Sequence, residues 1–217
     1  MAGEAFKRIL SSIILIPIAL FFILKGSYLF SFFILICFLI TCYEWHKMSK
    51  KKSYYLLGFV FLIVSFFSVH QLIDFGGNYN YFLSILLICV ATDLGGYIFG
   101  KIFKGPKLTK ISPKKTYSGM IGAYFLSFIS IILFFQTKYL FSNKPEITFD
   151  ILIFILLIST VSQLGDIFVS YFKRLSKIKD TGKIIPGHGG LLDRIDGMIF
   201  AFPFAYLISN INIFNYF

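Results

Sequence analysis

The sequence has few charged residues and very few acidic ones. Asp, Glu, Lys and Arg make up 14% of its 217 residues, and only 10 residues are acidic. Water-soluble domains usually contain about 25% charged residues, so this composition excludes an ordinary soluble globular protein. Cysteine is also scarce. The three cysteines show no paired spacing, which leaves no basis for a disulfide framework or a zinc site.

Long apolar runs are abundant instead. The sequence is 57% hydrophobic and contains 29 Phe residues. A helix of about 20 apolar residues crosses the roughly 30 Å of hydrocarbon in a bilayer. We therefore predict an all-α, polytopic transmembrane helical bundle of about seven spans, at residues 9–24, 28–43, 54–73, 81–99, 119–135, 147–171 and 191–208. No small-residue cleavage pattern follows the first run, so we expect a retained helix there.

Basic residues are distributed unevenly among the connecting segments. If the N-terminus is placed inside, only Lys25, Lys138 and Lys144 of the 21 basic residues fall outside. Membrane proteins concentrate Lys and Arg in their cytoplasmic loops, so this asymmetry predicts a cytoplasmic N-terminus and an external C-terminus. Topology therefore explains the formal net charge of +11, and we predict no nucleic-acid partner.

One polar segment covers the end of the fourth predicted span and the loop after it. Asp93 lies within the span, where an ionisable residue is costly. A functional role and a structural hydrogen bond to a neighbouring helix both stay open for it. Gly96 and Gly100 are four residues apart, a spacing that favours close helix packing.

The loop after this span is rich in lysine. Lysines next to a membrane usually meet anionic lipid head groups, which accounts for Lys101, Lys104 and Lys107. A second group combines hydroxyls and an ammonium beside a proline turn, and we predict that it binds phosphate oxygens: Ser112, Lys115 and Thr116. The loop is not a P-loop, because no GxxxxGK[ST] pattern occurs in the chain.

A second polar segment, residues 162–196, carries three aspartates of special interest. Asp193 and Asp196 are three apart at the start of the seventh predicted span, which would place them on one helix face. Carboxylates in one cleft repel each other unless a cation lies between them, and Mg²⁺ suits one or two carboxylates plus substrate phosphates. We predict that Asp166, Asp193 and Asp196 bind metal. Helix capping is the alternative for Asp193 and Asp196, but it does not explain Asp166.

The loop between these aspartates contains a Pro-Gly-His-Gly-Gly run at residues 186–190. Glycines let backbone amides approach an anion closely, and the following helix N-terminus adds positive potential. We therefore predict that His188 is functional and that Gly189 contributes to phosphate binding. The cations of this segment are predicted to neutralise phosphate charge: Lys173, Arg174, Lys179 and Arg194.

Residues 170–196 resemble the signature of the phosphatidate cytidylyltransferases, also called CDP-diacylglycerol synthases. The matching positions follow the order of the family pattern: Ser170, Phe172, Lys173-Arg174, Lys179-Asp180, Gly182, Pro186, His188-Gly189-Gly190 and Asp193-Arg194-Ile195-Asp196. The segments around Asp93, Gly165-Asp166 and residues 112–116 also resemble family features. The first three predicted spans carry no recognised motif.

This resemblance implies transfer of the cytidylyl group of CTP to phosphatidate, giving CDP-diacylglycerol and pyrophosphate for phospholipid biosynthesis. Residues 1–80 would be N-terminal membrane helices, and residues 81–217 the catalytic membrane domain. The implied location is a bacterial inner membrane, with the active site facing the cytoplasm. A homodimer is suggested only by the resemblance.

The resemblance also assigns roles to residues and cofactors. The predicted cofactor is Mg²⁺, and the family adds a monovalent cation such as K⁺. Asp93 and Asp180 are additional candidates for the site. The predicted catalytic residues are Asp166, Asp193, Asp196 and His188.

Two other functions fit the sequence less well. A transporter or channel would spread ionisable residues along a path through the bilayer, whereas the aspartates here fall toward one face. A CDP-alcohol type of phosphotransferase would carry a DGxxAR-type motif. In this chain Asp196-Gly197 is followed by Met198-Ile199-Phe200.

Overall fold

The computed structural model describes residues 2–74, 79–139, 148–187 and 189–211, without the side chains of residues 2–10, 12, 27, 74 and 137–139. These residues form eight α-helices: α1 Ala2–Lys25, α2 Ser27–Ser49, α3 Tyr55–Asp74, α4 Tyr79–Phe103, α5 Tyr117–Tyr139, α6 Phe149–Leu175, α7 Leu192–Ile195 and α8 Met198–Asn210. The described residues contain no β-strand, only two isolated β-bridges. The predicted all-α fold is therefore confirmed.

Five of these helices, α2 to α6, are long and apolar enough to cross a bilayer. The shortest has 20 residues and the longest 27, which at 1.5 Å per residue gives about 30–40 Å. The apolar stretches of α1 and α8 are shorter, Ile13–Lys25 and Met198–Asn210. The chain is thus a multi-pass membrane protein, and the first and last of the seven predicted spans are the short ones. The orientation of the N-terminus stays a prediction.

The last predicted span is not one continuous helix. The four-residue helix α7 ends at Ile195, and α8 begins at Met198 after Asp196 and Gly197. Asp193 and Asp196 therefore do not lie on one face of a single helix, and that prediction is wrong. Asp193 belongs to the short helix, and Asp196 lies in the turn that follows it.

The chain divides into two compact units. The first consists of Met1–Phe66 and Phe172–Ile195, and the second of Phe67–Tyr171 and Asp196–Phe217. Most of the signature segment therefore groups with the N-terminal helices. The functional boundary that we drew near residue 80 is a different division, and it stays a prediction.

In the second unit, glycines bring α4 and α5 into close contact. A Cβ atom on Gly119 would lie 2.7 Å from the carbonyl oxygen of Gly96 and 3.4 Å from the Cα of Gly100. Buried hydroxyls add hydrogen bonds between helices: Thr92 Oγ1 lies 2.9 Å from Ser127 Oγ and 2.8 Å from Ser159 Oγ. The packing role predicted for Gly96 and Gly100 is confirmed. Close backbone contact and a buried hydrogen bond hold α4 against α5.

In the first unit, aromatic rings hold α2 beside the C-terminal end of α6. The Trp45 ring meets the Phe172 ring edge-on, with centroids 5.6 Å apart, and the Tyr54 ring lies 4.8 Å from Phe172. Tyr54 also forms a hydroxyl–hydroxyl hydrogen bond of 2.8 Å with Ser176. The start of the signature segment is thereby fixed against α2.

Candidate active site

The loop between α4 and α5 is held in shape by its own hydrogen bonds. The N–H of Leu108 donates to the carbonyl of Lys115 at 2.8 Å, and the N–H of Tyr117 donates to that of Pro106 at 3.2 Å. Thr109 Oγ1 accepts from the N–H groups of Ile111 and Ser112. These bonds hold residues 112–116 as an ordered group directly before α5.

Lys115 reaches from this loop to α6. Its Nζ lies 2.6 Å from Asp166 Oδ2, and it also donates to the carbonyl of Gln163 at 3.4 Å. Ser170 Oγ, one turn further along α6, donates to Asp166 Oδ1 at 3.3 Å. The side chains of Lys115 and Asp166 keep 21% and 30% of their surface exposed, so the pair is open to a ligand. The structure thus brings together two residues that the sequence predicted separately.

Thr116 has a structural task as well as its predicted one. Its Oγ1 accepts the N–H of Gly119 at 3.1 Å, which is the usual contact of a helix N-cap, here at the start of α5. The same oxygen lies 3.0 Å from Ser118 Oγ. Ser112 is half-buried in the loop, and its carbonyl accepts the N–H of Lys115 at 3.0 Å. Their predicted contacts with phosphate stay predictions.

Lys173 and Arg174 lie at the C-terminal end of α6 but face different surroundings. Lys173 is 7% exposed, and its ammonium donates to Asp193 Oδ1 at 3.0 Å. Arg174 is exposed, and its guanidinium donates to the carbonyl of Ile178 at 3.0 Å. Because only Arg174 is exposed, it is the better placed of the two to meet a soluble anion.

Asp193 forms hydrogen bonds through both of its carboxylate oxygens. Its Oδ2 accepts the backbone N–H groups of Thr181 at 2.8 Å and Gly190 at 2.9 Å, while Oδ1 faces Lys173. The N–H of Gly190, three residues earlier, lies just before α7, and Asp193 itself lies in the first turn of that helix. These contacts agree with the capping alternative for Asp193.

Glu44 on α2 belongs to the same constellation, although the sequence did not single it out. Its side chain is 1% exposed. Oε1 accepts the N–H of Leu191 at 2.9 Å, and Oε2 accepts the N–H of Leu192 at 2.8 Å and the hydroxyl of Thr181 at 3.0 Å. One signal in the sequence could have found it: Glu44 is an acidic residue directly after a long apolar run, where an ionisable residue is costly.

The remaining predicted residues occupy varied positions. Gly189 has a φ of 94°, in the left-handed region that favours glycine, and a Cβ there would lie 2.9 Å from Asp193 Oδ2. Asp196 is buried, and its Oδ1 accepts the N–H of Gly197 at 3.0 Å. His188 lies outside the described residues. Four predicted residues have exposed side chains: Asp93, Lys179, Asp180 and Arg194.

The carboxylates fit Mg²⁺ in their donor chemistry, although they do not form a complete metal cage. Mg²⁺ prefers oxygen ligands and needs only one or two carboxylates when water and substrate phosphates complete its octahedron. Asp166, paired with Lys115 and partly exposed, retains lone pairs for such an ion. In the part of the chain that the structure describes, no three His, Cys, Asp or Glu side chains are grouped to hold a metal. Metal binding by Asp166, Asp193 and Asp196 stays a prediction.

These features define a multi-pass membrane protein that gathers carboxylates and cations at helix ends and in two ordered loops. Comparison with known proteins identifies its family. A model of the cytidylyltransferase family matches residues 6–85 and 51–212. Since this match covers nearly the whole described chain, the protein belongs to the cytidylyltransferase family.

Relatives with assigned names agree with this result. The chain is 37% identical to the phosphatidate cytidylyltransferase of Rickettsia bellii, over 96% of its own length and 92% of the relative's. For the protein of the same name in Rickettsia felis the identity is 36%, over 94% and 92%. The phosphatidate cytidylyltransferase of Staphylococcus aureus is 40% identical over 59% of this chain and 48% of the relative.

Proposed function

We propose that this protein is a phosphatidate cytidylyltransferase: it transfers the cytidylyl group of CTP to phosphatidate, giving CDP-diacylglycerol and pyrophosphate. The observation that carries the proposal is the similarity to phosphatidate cytidylyltransferases over almost the full length of both chains. The ordered polar loops supply suitable chemistry. In each unit a lysine and an aspartate of the predicted site lie within 3.0 Å of one another.

The reaction needs charge neutralisation and alignment more than it needs a base. A phosphate oxygen of phosphatidate attacks the α-phosphorus of CTP, and the bond from that phosphorus to the bridging oxygen breaks, so that pyrophosphate leaves with the electron pair. Phosphate monoesters are largely ionised near neutral pH, because their second pKa is about 6. The attacking oxygen is therefore already an anion, and the barrier lies in bringing two polyanions together in line.

The side chains of this protein divide these tasks according to their exposure. Arg174, Lys179 and Arg194 are exposed and would neutralise phosphate charge, the arginines through paired hydrogen bonds. Lys115 is only partly exposed and would bind a phosphate oxygen beside Asp166. Lys173 is buried against Asp193 and would hold that carboxylate in place. When bound, Mg²⁺ would supply further charge stabilisation to the phosphates next to the aspartates.

The location and partners of the enzyme follow from this chemistry. CTP is water-soluble and phosphatidate is a membrane lipid, so an active site at the cytoplasmic face of a bacterial inner membrane would give access to both. The asymmetry of basic residues supports that orientation. No nucleic-acid partner is proposed. The homodimer and the monovalent cation suggested by the resemblance stay predictions.

A defined assay tests the proposed function. Purified protein in mixed micelles is given CTP, phosphatidate and Mg²⁺, and both CDP-diacylglycerol and pyrophosphate are measured. We expect equimolar products that require both substrates. Asp166→Asn should abolish turnover, while Asp150→Asn, at the opposite end of the same helix α6, serves as the matched control. Absence of CDP-diacylglycerol with folded wild-type protein would refute the proposal.

A further inference from the structure

The carboxylate of Glu44 is almost completely buried, and the signature segment surrounds it. Both oxygens are used: Oε1 by the N–H of Leu191, and Oε2 by the N–H of Leu192 and the hydroxyl of Thr181. The bonds from Leu191 and Leu192 connect residues 147 and 148 positions apart in the chain. A buried carboxylate is costly unless its lone pairs are satisfied, so this arrangement ties α2 tightly to the segment.

Two glycines of the signature leave room for this carboxylate because they have no side chain. A Cβ atom on Gly182 would lie 2.6 Å from Oε1 of Glu44, and a Cβ on Gly190 would lie 2.6 Å from the same oxygen. Real Cβ atoms do not approach an oxygen so closely. Any larger residue at either position would therefore displace Glu44 or the loop. The fit between the carboxylate and the loop is steric as well as electrostatic.

Glu44 and Asp193 both bond to the loop at the same two positions, Thr181 and the adjacent residues Gly190 and Leu191. Thr181 donates its hydroxyl to Glu44 and its N–H to Asp193. The N–H of Gly190 goes to Asp193, and the next N–H, of Leu191, goes to Glu44. Each carboxylate therefore depends on the loop conformation that the other stabilises, and the buried Lys173 bonds to the Asp193 side of this network.

We propose that Glu44 is a positioning residue of the active site: by holding Thr181, Leu191 and Leu192, it sets the orientation in which Asp193 and the exposed Arg194 are presented to substrate. Glu44 itself is buried and does not contact substrate. The inference extends the proposed function by adding a residue from α2, a helix in which the sequence showed no motif. It predicts that removing this carboxylate impairs turnover more than it impairs substrate binding.

The main test compares Glu44→Gln with Glu44→Asp. Glutamine keeps the size of the side chain but replaces one acceptor oxygen with an N–H₂ group that faces a donor. We expect about a tenfold or greater loss of kcat, with KM for CTP changed by less than about threefold, since one hydrogen bond to a charged group is lost. Glu44→Asp keeps the charge and should recover part of the loss in kcat. Equal kcat for Glu44→Gln and wild type would overturn the proposal.

A gentler pair of variants covers the case in which changes at Glu44 prevent folding. Thr181→Val removes one hydroxyl that donates to Glu44, and Thr41→Val removes an equally buried hydroxyl on α2 that bonds only to carbonyls of its own helix. We expect Thr181→Val to lower kcat while Thr41→Val does not. A similar kcat for both, scaled by the amount of folded protein, would count against a positioning role.

Amide hydrogen exchange separates failure of this inference from failure of the proposed function. In folded Glu44→Gln or Thr181→Val protein, the amides of Leu191 and Leu192 should exchange at least about tenfold faster than in wild type, because their acceptor is weakened. This readout does not depend on the reaction catalysed. Unchanged exchange at both amides would refute the role of Glu44, whereas faster exchange without any CDP-diacylglycerol synthesis would refute only the assigned activity.

Discussion

Replacing Lys173 with methionine should destabilise the protein much more than replacing Lys115 with methionine. Both lysines pair with an aspartate, at 3.0 Å and 2.6 Å respectively. The pairs differ in burial: the side chains of Lys173 and Asp193 are 9% and 4% exposed, against 21% and 30% for the other pair. Burial decides how much a broken ion pair costs, because water solvates an abandoned charge only where it can reach it.

The expected magnitudes follow from this difference. Removing one partner of a buried ion pair typically costs about 3–5 kcal/mol, so we expect a loss of that size for Lys173→Met. A partly exposed pair contributes about 0–1 kcal/mol, which is the loss expected for Lys115→Met. The double variant Lys173→Met/Asp193→Asn should cost less than the sum of its single changes by about 0.5–3 kcal/mol, since the two side chains are in direct contact.

Unfolding in mixed micelles at increasing fractions of dodecyl sulfate measures these free energies, and the turnover assay is run on the same samples. Lys183 is an exposed lysine of the loop between α6 and α7, so Lys183→Met is the matched control and should change neither the free energy of unfolding nor the turnover. Lys115→Met should remain stable yet lose activity. The reasoning fails if both lysine variants lose the same stability, or if the double variant shows no coupling.

Three further outcomes are expected. Gly119→Ala should lower the free energy of unfolding by about 1–3 kcal/mol, because its Cβ would press on the carbonyl of Gly96. Gly105 has no neighbouring atom closer than 3.9 Å to such a Cβ, so Gly105→Ala tests whether strain at a positive φ alone has that effect. Gly190→Ala should reduce turnover as Glu44→Gln does, with unchanged activity counting against the close fit of that loop. Chelation of divalent cations should stop turnover and added Mg²⁺ restore it, while full activity in excess chelator would exclude the predicted metal.

The membrane fold was predictable because it depends on local hydropathy. Each of α2 to α6 coincides with a long apolar run. The spacing of Gly96 and Gly100 predicted the close helix contact that they form with Gly119. The break after Ile195 was missed in this way, although Asp196-Gly197 is a dipeptide typical of turns. Hydropathy reports which residues avoid water, and it does not report where a helix is interrupted.

The candidate site was predictable in composition but not in its pairings. The clustering of charge around residues 162–196 and the order of the signature positions were visible in the sequence. The sequence grouped Lys115 only with its neighbours in the α4–α5 loop, and its pairing with Asp166 on α6 was not predicted. Nor was the pairing of the buried Lys173, a predicted phosphate ligand, with Asp193. These partners depend on the approach of segments that no spacing rule connects.

The sequence by itself determined that this is a multi-pass helical membrane protein of the cytidylyltransferase family, because composition, apolar run length and an ordered motif are local properties. Only the tertiary structure decided that the side chain of Glu44 on α2 bonds to the signature segment and holds the backbone before and within α7. The physical reason is that a buried carboxylate must find its donors wherever the fold brings them, here 147 and 148 residues away along the chain.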